Sequence, residues 1–147
     1  MSGVGAAVLG AVLVLTVVAA WWLRSRSGAV RPSTPAAAVP AIDPVFEGLG
    51  VRRDTADLTV VQFSTAFCGP CRATRARLQQ LQTTHPGLAY VHVDAESHLD
   101  EVRELDVRRT PTLFYLGRDG GLIGRSSGAP RADELTALVD AHAGVRS

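Results

Sequence analysis

Lysine is missing from this 147-residue chain, whose fifteen basic side chains are all Arg, so lysine chemistry is excluded. Cysteine is scarce, with two residues, too few for the multi-bridge framework that staples a small secreted scaffold. The two stand only two residues apart, and a loop that short restrains the unfolded chain little, which removes a purely structural staple. Net charge is nearly absent at +1, and no basic face outruns its neighbouring acids, so nucleic acid is set aside as a partner. No internal repeat appears. What remains, 46% hydrophobic and 20% charged residues, lies in the globular range and suffices for one compact core.

The apolar residues are unevenly spread. Residues 3–23, "GVGAAVLGAVLVLTVVAAWWL", carry no charge and would span about 31 Å as a helix at about 1.5 Å per residue, which predicts a transmembrane anchor. Trp21 and Trp22 fall at its far end, where aromatic rings sit at a lipid–water boundary. A cleaved signal peptide is the competing reading, and it lacks the basic segment expected before its apolar run. The expected localisation is thus the cell membrane, single-pass. Arg24, Arg26 and Arg31 follow the run with no side-chain charge before it, which by the positive-inside rule places the remaining chain in the cytoplasm. The outer side stays open as the alternative. Residues 24–44 contain Pro32, Pro35, Pro40 and Pro44 among small residues and predict an extended, semi-rigid linker before a domain at 45–145.

Within that domain "LTVVQFS" (58–64) is a β-branched and aromatic run of strand length. A helix is predicted after it, starting at "CGPC", carrying Leu78 and Leu81 on one face and ending at His85-Pro86-Gly87. A second strand is expected at 88–95. A short helix is expected over 97–107, with Ser97 as N-cap and Leu99, Val102 and Leu105 facing inward. Strands at 112–117 and 121–127 flank "RDGG", a hairpin turn in which Asp-Gly supplies positive φ. A last helix follows, with Leu135, Leu138, Val139 and His142 along one stripe. The order predicts a three-layer α/β/α sandwich around a mixed four-stranded sheet.

Cys68 and Cys71 carry the chemistry. At the start of a helix after a strand, Cys68 meets unsatisfied N–H groups and the positive end of the dipole, which favour its thiolate over a free thiol of pKa about 8.5. Cys71 lies one turn inward, placed to resolve a bond made at Cys68. Pro70 sits at an early helical position where its missing N–H costs little, and Gly69 leaves room for a substrate backbone. Arg72 and Arg75 could serve as surface charge or add positive potential. A zinc site would need four N/S ligands, and beyond this one pair there are only His85, His92, His98 and His142 on different elements, so no metal is expected.

The runs "VVQFSTAFCGPCR", "VHVDAES" and "VRRTPTLFYLGRDGGLIGRSSGAP" resemble the thioredoxin family and its membrane-anchored relatives, in family order across residues 58–143. The resemblance implies a thioredoxin-like fold and a protein-disulfide reductase in which Cys68 attacks and Cys71 resolves, with Phe67, Gly69 and Pro70 completing the active-site turn. It also implies a cis bond at Thr110-Pro111 and a substrate groove formed with Gly128. Two positions depart from the family: Phe67 replaces the usual Trp, and Gln62 replaces a buried Asp that moves protons at the resolving cysteine. An amide cannot titrate, so Gln62 marks a proton-relay position without its acid. The implied partners are a disulfide-containing client and an electron-donor thiol protein or reductase, with no cofactor. A groove-binding scaffold that senses redox state without turnover is the alternative, and an oxidising or isomerising role outside the cell is a third.

Overall fold

The computed structural model describes residues 3–26, 28, 30–32 and 44–144. Elements follow as α1 (Gly3–Arg26), β1 (Val30–Pro32), α2 (Pro44–Gly48), β2 (Leu58–Ser64), α3 (Gly69–Thr84), β3 (Leu88–Asp94), α4 (Leu99–Glu104), β4 (Thr112–Gly117), β5 (Leu122–Ser127) and α5 (Ala132–His142). The sheet runs β1-β5-β4-β2-β3, with β2 and β3 parallel and every other pair antiparallel.

Strand β2 is the hub because all seven of its residues are buried. Alternation along it sends Leu58 and Val60 to one face of the sheet and Val61 and Phe63 to the other. On the first face they meet Leu78 and Leu81 of α3 and Leu135 and Val139 of α5. On the second they meet Phe46 of α2 and Val102, with Leu105 just past α4. Phe114 stacks edge-on against both Phe46 and Phe63, at 5.4 and 5.8 Å between ring centroids. Arg125 lies over the Phe114 ring at 4.9 Å and donates to the carbonyls of Leu105 and Asp106, fastening β5 to the end of α4.

The expected four strands form as an α/β sandwich, and a fifth joins them. Val30, Arg31 and Pro32, expected within the linker, pair with Ser126, Arg125 and Gly124 of β5. Proline is compatible with an outer strand, where the missing donor removes no bond from the sheet interior. The remaining stretch of the expected linker, residues 33–43, lies outside the described residues. Helix α2 went unread in the sequence because five residues show no period. The hairpin turn forms with Gly120 at φ +79°, while Asp119 instead accepts the Gly121 N–H through its carboxylate.

Three expectations are corrected. Ser97 does not cap α4: its hydroxyl donates to the Asp94 carboxylate, which also takes the Glu96 N–H, and His98 occupies the cap position with its ring turned back to the Asp94 carbonyl and no side-chain bond into the helix. The carboxylate, as the stronger acceptor, organises the turn first. Leu99 is 52% exposed, because α4 spans only Leu99–Glu104 and turns its first residue outward.

The third correction concerns the membrane. Helix α1 forms, and Leu9, Leu13 and Trp21 are among its exposed side chains. Among the described residues, however, no helix is long and apolar enough to cross a membrane. The single-pass anchor, the cell-membrane localisation and the orientation read from Arg24, Arg26 and Arg31 are overturned together.

Leu78 has no exposed surface and joins α3 to the sheet. Leu78→Ala should destabilise the domain by about 2–5 kcal/mol, read in urea as a lower midpoint at unchanged slope.

Candidate active site

Strand β2 ends at Ser64, the chain turns through three residues, and α3 begins at Gly69 with Cys68 as its N-cap. Pro70 lies at the first helical turn, where no intrahelical donor is lost. Cys68 has extended backbone (φ −88°, ψ 98°), and its sulfur accepts the Cys71 N–H at 3.2 Å. The pair is oxidised, with a Cys68–Cys71 disulfide and 5.2 Å between Cα atoms.

Around the bond the exposure is steep. Phe67 is 97% exposed and Gly69 and Pro70 stand in solvent, whereas Cys68 keeps 9% of its surface and Cys71 3%. The sulfurs are thus less open than a Gly-Pro turn suggests, since the bonded Cys68 sulfur is drawn against the helix end. A Cβ added to Gly69 would meet only an Arg72 guanidinium nitrogen at 4.0 Å, so the turn presents bare backbone outward.

The loops expected to frame the groove are tied to this turn. The Thr110–Pro111 peptide is cis. The Thr110 hydroxyl lies 3.4 Å from that of Thr65, and the Thr65 carbonyl accepts the Cys68 N–H. Gly128, at φ +101°, donates its N–H to the Pro111 carbonyl at 2.7 Å. Thr110, Pro111 and Gly128 are therefore linked by hydrogen bonds to one another or to the loop carrying Cys68.

Beneath Cys71 lies Gln62, with no exposed surface. Its amide nitrogen donates to the Ser64 hydroxyl and to the Cys71 carbonyl, each at 3.0 Å, and its carbonyl accepts the Tyr90 hydroxyl at 3.1 Å. The amide thus satisfies its buried polar atoms while carrying no charge, which keeps desolvation cost low. Beside this network opens a cavity of about 330 Å³, with Cys71 and Ser64 on its inner side, His92 and Asp94 from β3, and Arg72 and Arg75 from α3.

The sequence singled out Cys68, Cys71 and Gln62; Tyr90, Asp94 and Ser64, which the structure sets beside them, it did not, and His92 entered only as a remote zinc candidate. The available signal was the period of two along β3: Leu88 and Tyr90 pack toward α3, which puts His92 and Asp94 on the same side. His85 plays no part here; it is buried under α5, 2.8 Å from the Asp140 carboxylate. Among the described residues no three His, Cys, Asp or Glu side chains are grouped to hold a metal.

The electrostatics sort these groups. Burial pushes the Tyr90 phenol up to about 12, against an opposing effect of Arg75. Desolvation, then the Arg75 charge, lowers His92, while Asp94 pulls the other way. Asp94 is itself lowered, first by the Ser97 hydroxyl and then by the Glu96 N–H.

The other tyrosine, Tyr115, is also raised to about 12 by burial. An unfolded tyrosine ionises near 10, so between about pH 10 and 12 the folded state holds more protons and stability falls as pH rises. Ultraviolet titration of the folded chain should show little phenolate near pH 10, and in denaturant both tyrosines should ionise there.

A family model, Thioredoxin, matches residues 51–141. Mitochondrial thioredoxin-3 of Saccharomyces cerevisiae is 37% identical over 73 residues, covering 50% of this chain; the chain spans 57% of that relative's length. The crystal structure of Saccharomyces cerevisiae mitochondrial thioredoxin 3 in its oxidized form superposes with a TM-score of 0.52 at 30% identity, over 60% of this chain and 81% of that one. Thioredoxin f2 of Chlamydomonas reinhardtii gives a TM-score of 0.57 at 26% identity, over 68% and 90%. With the fold, the oxidised Cys-Gly-Pro-Cys pair and a matching model over most of its length, the chain belongs to the thioredoxin family.

Proposed function

We propose that the protein is a thiol-disulfide oxidoreductase that reduces disulfides of client proteins through Cys68 and Cys71. The observation that carries this reading is the cap of α3: the Cys68 sulfur accepts the Cys71 N–H at the positive end of a 16-residue helix. In the reduced pair the same N–H and dipole favour a thiolate at Cys68.

The cycle balances in two displacements. Cys68 thiolate attacks one sulfur of the client disulfide; that bond breaks, and the other client sulfur leaves as a thiolate and takes a proton. Cys71, having lost its proton, then attacks the Cys68 sulfur and displaces the second client thiolate. The client has gained two electrons, and the Cys68–Cys71 bond waits for a dithiol donor protein. Phe67 offers apolar area at the lip of the turn, and the peptide at Thr110–Pro111 with Gly128 supplies backbone for an extended client segment. The direction, reduction over oxidation, rests on Gly-Pro between the cysteines, as in the reducing members of the family.

The rival reading is a redox-sensing scaffold that binds clients at the groove without turnover. It draws on Gln62, which places an amide where the family has a titratable acid. Insulin reduction with a dithiol donor separates the two. Turnover by the wild type that Cys68→Ser and Cys71→Ser each abolish is expected; client binding with no turnover in any form selects the scaffold. The alkylation rate of Cys68 against pH should show an inflection below about 8.5, and an inflection at the free-thiol value removes the basis of the proposal.

A further inference from the structure

The second displacement needs Cys71 to lose a proton, and the residue beneath it cannot take one. Gln62 has no titratable group, and its amide is committed to Ser64, the Cys71 carbonyl and Tyr90. Tyr90 keeps its own proton throughout the neutral range. Arg72 and Arg75 offer guanidinium donors and no acceptor for a proton. The Asp94 carboxylate is occupied by the Ser97 hydroxyl and the Glu96 N–H, which make it a weaker base than an ordinary carboxylate.

One group around the cavity has an ordinary pKa near neutrality. His92 sits opposite Gln62 in the β2–β3 register and lines the same cavity as Cys71. At about 330 Å³ the cavity has room for several waters, each of about 30 Å³ in the liquid, and its rim is polar enough to hold them.

We infer that His92 handles the proton of the resolving step, accepting it from the Cys71 thiol through water in this cavity and returning it when the disulfide is reduced again. The inference rests on the reading of Cys71 as resolving cysteine. In the forward step the Cys71 S–H bond breaks, its proton passes by way of water to an imidazole nitrogen, and the sulfur's electron pair forms the bond to Cys68. The client's bond to Cys68 breaks and its sulfur departs with that electron pair.

The charged and titratable groups set around His92 are Arg72 and Arg75 from α3, Tyr90 and Asp94 from β3, and Glu96 from the following turn. Desolvation and Arg75 keep the imidazole neutral at pH 7, the form that accepts a proton. A buried acid would serve the same purpose only while ionised. An imidazole at the cavity rim serves it without burying a charge.

A chromogenic aryl disulfide that releases a coloured thiolate separates the two displacements in a stopped-flow experiment with the reduced full chain. The first release reports attack by Cys68 and the second reports displacement by Cys71. In the wild type the second rate should fall below the His92 pKa, which lies under 6.5, as the imidazole protonates. His92→Gln should slow the second release at pH 7 by at least about tenfold, erase that acid limb and leave the first release unchanged. An unchanged second release overturns the inference, and so does slowing that leaves the limb in place. Equal slowing of both releases overturns it too, since it assigns His92 to the integrity of the turn. A wild type that releases no thiolate overturns the reading of the cysteine pair itself, a failure distinct from that of His92 alone.

Discussion

The amide of Gln62 joins the three parts of the molecule that must stay in register for the cysteines to work. It projects from the fully buried strand β2, holds the Cys71 carbonyl in the first turn of α3, and receives the Tyr90 hydroxyl from β3. Each bond is worth about 0.5–1.5 kcal/mol net, and leaving a partner buried and unpaired costs about 1–3 kcal/mol. The arrangement therefore resists being broken more strongly than it favours being made. It fixes the helix end against the sheet by hydrogen bonding where hydrophobic contact alone would allow sliding.

That choice divides the labour of the site. A neutral amide at the centre gives a rigid floor beneath Cys71 and removes an internal acid. Charge is kept to the rim, with Arg72, Arg75, Asp94 and Glu96 around the cavity mouth. At the opposite pole of the bond, helix α3 directs its unsatisfied N–H groups at Cys68. One sulfur is thus governed by a helix end and the other by its access to water and a base, so the two can be tuned separately.

Much of this was legible in the residues themselves. The limits of β2, the start of α3 at Gly-Pro-Cys and its stop before His85-Pro86-Gly87 follow from local chemistry: β-branching, a proline at the first turn, and a Pro-Gly break. The stripe Leu135–Val139 was legible for the same reason, since a period of 3.6 needs only neighbours in sequence. What escaped depends on contacts between distant segments. Ser97 looked like a cap until the Asp94 carboxylate claimed its hydroxyl. Residues 30–32 looked like linker because strand pairing needs a partner, and β5 lies more than ninety residues onward. Tyr90 read as an ordinary strand residue and His92 only as a stray zinc candidate, because Gln62 is set beside them only by the parallel register. The run at 3–23 shows the opposite error: it forms the expected helix, and composition alone was asked to decide where that helix lies.

Gly28 has a consequence for how the amino-terminal part of the chain meets the rest. Its N–H binds the Ser127 carbonyl, its φ is +88°, and a side chain there would strike the Ala129 carbonyl oxygen. The chain entering β1 therefore passes within a methyl group's width of the loop that follows Gly128. Any residue larger than glycine at position 28 would therefore displace that loop, and with it the Gly128 backbone that the proposed groove uses.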